Sequence, residues 1–156
     1  MPDAVGYRIK FGVIIPSTHT VVEADYNQMA PPGVTFHAGR MYIERPALDS
    51  DAAFQELLVQ LRQSIKIAIR DVMTCKPDYL IMGMSSETFW DGLEGSKLLQ
   101  QRVEQRAGVK VCMGSDASQE ALKRYGAKRL GAGRAPRDVR CARSHRILRG
   151  PGRGTG

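Results

Sequence analysis

Short apolar runs and longer segments with apolar residues at helical spacing follow one another through the first 130 residues. Four continuous apolar runs predict strands at 8–15, 34–43, 79–84 and 109–113. Helical spacing predicts helices at 51–75, 94–106 and 115–125, and the segment between the first two strands predicts a loop. Strands that are apolar throughout, alternating with helices, are typical of a parallel sheet covered on both faces. The pattern therefore predicts an α/β fold with about four parallel strands.

The segment 51–75 has the clearest helical pattern in the chain. Its predicted buried face consists of eight apolar residues: Phe54, Leu57, Leu58, Leu61, Ile65, Ala68, Ile69 and Val72. Ser50 is the predicted N-cap of this helix, and Pro77 closes it because proline disfavours helical backbone in the residue before it. Ser115 is the predicted N-cap of the last helix.

Charge divides the chain into a body and a tail. Residues 1–130 are close to neutral, whereas residues 131–156, the arginine-rich tail, hold seven arginines, six glycines and a single acid. We predict two regions, an α/β domain over 1–130 and a disordered tail over 131–156, which an out-of-frame coding sequence would also explain. The alternative is an arm that binds nucleic acid or an acidic partner. We do not expect nucleic acid binding, because no aromatic residues interleave with the arginines for base stacking.

Cysteine usage and hydropathy predict the compartment. The three cysteines have no metal-ligand spacing, so we expect no metal site and a reducing environment. Cys112 lies inside an apolar run and is predicted to be an inert core residue. No apolar run is long enough to span a bilayer, and the start lacks the pattern of a secretion signal. We predict a soluble, cytoplasmic protein without a membrane partner.

Two hydroxyl-rich segments directly follow predicted strands. The first strand leads into Pro16, Ser17 and Thr18, and the third leads into a segment that begins with glycine. The candidate ligand-binding residues of that second segment are Gly83, Met84, Ser85 and Ser86. Ligands of parallel sheets bind beyond the carboxyl ends of the strands, where hydroxyls and free backbone N–H groups can hold an oxyanion or carboxylate. The alternative is that these are ordinary loop and capping residues.

The same two segments carry a family resemblance. FGVIIPSTHTVVEADYNQMAPPGVTF and YLIMGMSSETFWDG resemble the arylmalonate decarboxylase and maleate cis-trans isomerase branch of the aspartate/glutamate racemase superfamily, over about residues 8–130. The resemblance implies one lobe of a two-lobed, pseudosymmetric fold, in which each lobe is a three-layer, flavodoxin-like parallel sheet. It implies an active site between the lobes and no cofactor or metal.

The resemblance also implies a substrate and a chemistry. Pro16, Ser17, Gly83, Met84 and Ser85 match the motif that holds a substrate carboxylate in the first lobe, and a planar enediolate would be stabilised electrostatically. The implied partner is a small dicarboxylate or an arylmalonate. Isomerases and racemases of the superfamily have a cysteine where this chain has glycine at residue 83, whereas the decarboxylases also have glycine.

Two departures from the family pattern limit the expected activity. The isomerases have asparagine where this chain has His19, which is a weak candidate base and otherwise a solvated loop residue. The second lobe, with its essential cysteine, has no counterpart after residue 130. We therefore expect a truncated first lobe with little activity, whose open lobe interface favours self-association. The alternatives are a non-catalytic carboxylate-binding module and a binder of acidic partners through the tail.

Overall fold

Four strands and four helices alternate along the described part of the chain. The structure, a computed structural model, describes residues 3–44, 50–84 and 92–127. The elements are β1 Ile9–Pro16, α1 Val22–Met29, β2 Val34–Met41, α2 Asp51–Val72, a 3-10 turn Met73–Cys75, β3 Tyr79–Met82, α3 Gly92–Ala107, β4 Val111–Cys112 and α4 Gly114–Arg124. Every predicted strand and helix is confirmed within these ranges, although β3 and β4 are shorter than their apolar runs.

The four strands form one parallel sheet in the order β2-β1-β3-β4. β1 pairs with β2 over its whole length, from Ile9 opposite Val34 to Pro16 opposite Met41. On its other side β1 pairs with β3, and β3 pairs with β4. This is the strand order of flavodoxin-like sheets, in which the chain winds from β1 to one side and then returns to the other. The predicted α/β fold class is therefore confirmed.

The main core lies between α2, α3 and one face of the sheet. Strand residues Ile14, Met41 and Leu80 have no solvent exposure and pack in one cluster with the apolar face of α2. The helix approaches closely because β2 has a glycine beneath it: a Cβ added at Gly39 would lie 2.7 Å from the carbonyl oxygen of Ala68. Six of the eight apolar residues predicted on α2 are buried, and the side chains of the other two, Phe54 and Leu58, lie outside the described part of the structure.

The opposite face of the sheet carries aromatic side chains and the short helix α1. Phe11 stacks on Phe36 with 5.3 Å between ring centroids, and Tyr79 meets Phe11 edge-on. Tyr26 of α1 packs on Phe36 at 4.8 Å. The sequence pattern predicted a loop between β1 and β2, and that prediction is wrong because the segment contains helix α1. Helix α1 buries no residue completely, and its N-cap residue, Val21, makes no side-chain capping bond. It therefore lacks a buried apolar face and a polar N-cap, two of the features from which a helix is predicted.

Helix ends follow the predicted capping at one place and depart from it at another. The Ser50 hydroxyl accepts a hydrogen bond from the backbone N–H of Ala53 at 3.2 Å, as predicted for an N-cap. The predicted N-cap at Ser115 is wrong, because α4 begins at Gly114 and its N-cap position is Met113, two residues before Ser115. Ser115 is instead fully buried, and its hydroxyl lies 2.8 Å from the hydroxyl of Ser96, which is also buried.

The arginine-rich tail lies outside the described residues, so its predicted disorder and the domain boundary at residue 130 stay predictions. Within the helices that the structure describes, none has the length and apolarity needed to cross a membrane.

Candidate functional site

The carboxyl ends of β1 and β3 lie side by side at the point where strand order reverses. β1 runs between β2 and β3, and the pairing with β3 extends from Phe11 opposite Tyr79 to Ile14 opposite Met82. Just beyond it, the N–H of Gly83 donates to the carbonyl oxygen of Ile14 at 2.8 Å. The two segments predicted from the sequence therefore leave the sheet at one edge, which is where flavodoxin-like sheets bind their ligands.

The segment after β1 is held tightly by β2 and by its own turn. The Ser17 N–H donates to the carbonyl of Met41 at 2.7 Å, and the Ser17 hydroxyl oxygen accepts from the N–H of Ile43 at 3.0 Å. The His19 N–H donates back to the carbonyl of Pro16 at 3.0 Å. Because a hydroxyl both donates and accepts, the bond from Ile43 orients Ser17 and leaves its proton for a further acceptor.

These bonds occupy part of the donor set that was expected at the site. Three backbone N–H groups of the two segments, those of Ser17, His19 and Gly83, already donate within the protein. A ligand would therefore have to be held by the other N–H groups and by the side-chain hydroxyls. Ser17 is half-buried and Thr18 is exposed, so both are accessible to a small ligand.

Arg40 is the residue that sequence reasoning missed. The register places it opposite Ile15, beside the segment after β1. One guanidinium nitrogen donates to the carbonyl oxygens of Ser17 and His19, at 3.1 Å each, and another pairs closely with Glu23 of α1. Arg40 thus joins β2, the segment after β1 and α1. Nothing local in the sequence marks this role, because the three contacts come from three separate elements.

The segment after β3 contributes backbone and little side chain in its described part. Met84 is 7% exposed and packs in the main core, so its side chain faces away from a ligand. A Cβ at Gly83 would lie 2.6 Å from Cγ2 of Ile15, so glycine is required for the close approach to β1. Ser85 and Ser86 lie outside the described residues and stay predictions.

The titratable candidates are spread out. His19 is exposed at the surface of its turn. The half-buried Cys112 has its thiol pKa raised, mainly by burial and further by the neighbouring Asp116 carboxylate, which keeps it protonated and a poor nucleophile. The thiol of Cys75 donates to the carbonyl oxygen of Val72 at 3.0 Å, at the opposite end of β3 from the site. Over the residues described, no group of three or more His, Cys, Asp and Glu is placed to hold a metal ion.

Comparison with solved structures identifies the kind of lobe that this sheet and its two segments form. A crystal structure of arylmalonate decarboxylase superposes with a TM-score of 0.69 at 18% identity, over 90% of this chain and 57% of that chain. A double mutant of the same enzyme in its liganded form gives 0.70 at 17% identity, with the same coverage. The maleate isomerase Iso from Pseudomonas putida gives 0.59 at 15% identity, over 77% of this chain and 50% of that chain.

The chain therefore has the α/β fold of one lobe of these enzymes. The structural neighbours agree with the resemblance of the two segments, and the particular fold is that of an arylmalonate decarboxylase lobe. The chain spans little more than half the length of the arylmalonate decarboxylase that it matches. Comparison with family models and with curated protein sequences finds no match, so the likeness is one of structure.

Proposed function

We propose that this chain is a carboxylate-binding lobe of an arylmalonate decarboxylase-like or maleate isomerase-like protein. The observation that carries the proposal is that β1 and β3 end side by side at the strand-order reversal, and that each strand leads into a segment whose sequence is rich in hydroxyls. A small dicarboxylate or an arylmalonate is the proposed ligand. In support, one structural neighbour is a liganded decarboxylase and another is a maleate isomerase with maleate.

The Ser17 hydroxyl is the proposed donor from the segment after β1. Its oxygen already accepts from Ile43, so its proton has a defined direction in which to meet a carboxylate oxygen. Arg40 is the proposed positioning residue, because it holds the carbonyls of the same turn from behind. The pairing of Arg40 with Glu23 offsets its charge, so hydroxyl hydrogen bonds carry more of the recognition than net charge does.

Ser85 and Ser86 are the proposed donors from the segment after β3. Gly83 allows the start of that segment to approach β1 closely. In a decarboxylation, the bond between the α-carbon and the departing carboxyl carbon would break as carbon dioxide leaves. The electron pair of that bond would be shared with the remaining carboxylate, which gives a planar enediolate. Hydrogen-bond donors in fixed positions would stabilise that charge without a cofactor. The proton that completes the reaction would come from an acid outside residues 1–130. We therefore propose that this chain binds but turns over little substrate by itself.

Isothermal titration of the full chain with phenylmalonate, malonate and maleate tests the binding. We expect Ser17→Ala and Ser85→Ala each to weaken binding about tenfold or more, since a hydrogen bond to a charged group contributes about 1.5–3 kcal/mol. Ser118→Ala is the matched control, because that hydroxyl donates to Gly114 within α4. Heat signals absent for all three ligands, or Ser17→Ala and Ser85→Ala binding like the parent chain, would overturn the proposal.

A carbon dioxide release assay separates binding from catalysis. Binding without release favours the non-catalytic carboxylate module. Release that Ser85→Ala abolishes would show that the chain is active alone, contrary to the low activity proposed.

Self-association is a further part of this proposal. β2 and β4 are the edges of the described sheet, and β4 pairs through two residues only. Sedimentation velocity should detect a concentration-dependent increase in mass, and a constant monomer mass would contradict it.

A further inference from the structure

A groove of about 670 Å³ runs between α2 and α3, on the helical layer that covers the main core. One wall comes from α2 between Arg62 and Ile69, and the other comes from α3 between Gly95 and Arg106. The α3 wall is eleven residue steps long, which at about 1.5 Å per step is roughly 17 Å. Its size falls in the range of sites that enclose small organic ligands.

The floor of the groove is aliphatic. Ile65 and Ile69 of α2 and Val103 of α3 form its closed base, with exposures of 4%, 2% and 2%. Leu99 is half-buried above them, and Leu98 is 46% exposed at the rim. These side chains offer an alkyl chain continuous apolar contact without an aromatic ring or a hydroxyl.

The rim of the groove is basic from both sides. Among the lining residues that the structure describes, the charged ones are all cations: Arg62 and Lys66 on α2, and Arg102 and Arg106 on α3. Long aliphatic stems of this kind can extend the apolar walls of a groove.

Several acids of the same two helices are engaged elsewhere. Asp71 pairs with Arg70, Glu94 pairs with Lys97, and Glu104 accepts a hydrogen bond from Lys110 at 3.0 Å. None of these acids lines the groove. The positive potential at the rim is therefore not offset by them, and an anionic group is the complementary partner.

We propose that this groove binds a single-chain anionic amphiphile, such as a fatty carboxylate. The alkyl chain lies on the aliphatic floor, and the carboxylate lies between the cations of the two helices. Of the described residues at the proposed dicarboxylate site, 16–20 and 83–84, none lines the groove. The two proposals therefore rest on different residues and are tested separately.

Titration of the full chain with dodecanoate, below its critical micelle concentration and at low salt, tests the proposal. Each buried methylene strengthens binding by up to about fourfold, so octanoate should bind at least tenfold more weakly than dodecanoate. Dodecyltrimethylammonium, which has the same chain and the opposite charge, should bind at least tenfold more weakly as well. Equal affinity for any two of these probes, or no binding of dodecanoate, would overturn the proposal.

Charge reversal assigns the binding to the groove. We expect the double variant Lys66→Glu/Arg102→Glu to weaken dodecanoate binding at least tenfold, because it reverses one cation on each wall. The control Lys97→Glu/Lys123→Glu makes the same change in net charge at exposed residues outside the groove. Both variants keep the arginine-rich tail, so attraction to the tail cancels in the comparison. Equal loss of affinity in the two variants would contradict binding in the groove.

Discussion

Replacing Gly83 with alanine tests whether the close approach of the segment after β3 to β1 requires glycine. The added Cβ would lie 2.6 Å from Cγ2 of Ile15, 3.1 Å from the carbonyl oxygen of Ile14 and 3.2 Å from Cγ1 of Val13. Ile15 is completely buried, and its Cγ2 is a branch at Cβ that cannot rotate away without moving the whole side chain. Overpacking of this kind costs about 1–3 kcal/mol. At roughly 4 °C per kcal/mol for a domain of this size, Tm should fall by about 4–12 °C.

Thermal and urea unfolding of a double-mutant cycle measures this clash directly. Ile15→Leu moves the branch from Cβ to Cγ, so the atom nearest to the new methyl group is removed at a cost below about 1.5 kcal/mol. The double variant should be more stable than the sum of the single effects by about 1 kcal/mol. If the site had room, Gly83→Ala would instead stabilise the fold by about 0.4–1 kcal/mol. That result, or strict additivity in the cycle, would refute the reasoning.

The same geometry bears on the cysteine that, by the sequence resemblance, isomerases and racemases have in place of Gly83. Cysteine has the same Cβ as alanine, so Gly83→Cys would meet the same atoms of Ile15, Ile14 and Val13. Introducing that cysteine should therefore require compensating changes on β1.

Three further predictions concern side-chain contacts. Arg40→Met should speed amide hydrogen exchange over residues 17–20 by about tenfold, since two hydrogen bonds and an ion pair are lost; unchanged exchange would show that this turn holds itself. Ser17→Ala should lower the unfolding free energy by about 1 kcal/mol because the N–H of Ile43 loses its acceptor, and an unchanged urea midpoint would contradict this. The pKa of Glu104 is lowered chiefly by its hydrogen bond from Lys110, so the resulting stability is present above the unfolded pKa and is lost as pH falls through the folded one. Lys110→Met should therefore reduce the stability difference between neutral pH and pH 3, and an unchanged difference would contradict this cause.

The long helix and the position of the candidate site were predictable for clear physical reasons. Helix α2 packs one whole face on the sheet, so its apolar residues recur at helical spacing, and Ser50 caps it locally. The two hydroxyl-rich segments follow apolar runs, and parallel strands bring their carboxyl ends to the same edge. That β1 and β3 are neighbours follows from the flavodoxin-like strand order, which the sequence implied through its family resemblance.

The features missed are those that depend on contacts between distant residues. Helix α1 meets the sheet through Tyr26 and has little apolar periodicity to reveal it. Nothing in the sequence around Arg40 indicates its role, because its contact with the turn after β1 depends on the pairing register of β1 and β2. Ser115 has the residue type of an N-cap, but a buried partner nineteen residues earlier takes its hydroxyl instead. Three of the N–H groups at the site, those of Ser17, His19 and Gly83, find acceptors in β1, β2 and the turn itself, which the sequence alone does not reveal.

The buried hydroxyl pair of Ser96 and Ser115 couples the substitutions that evolution can accept at these two positions. Each hydroxyl lies within 2.8 Å of the other in a place that water does not reach. Changing either serine to alanine leaves the other without this partner, at a cost of about 1–3 kcal/mol, whereas changing both removes the need for a partner. An evolving sequence must therefore cross a less stable intermediate to leave this arrangement. Among homologues, serine or alanine should occur at both positions together, and mixed pairs should be rare.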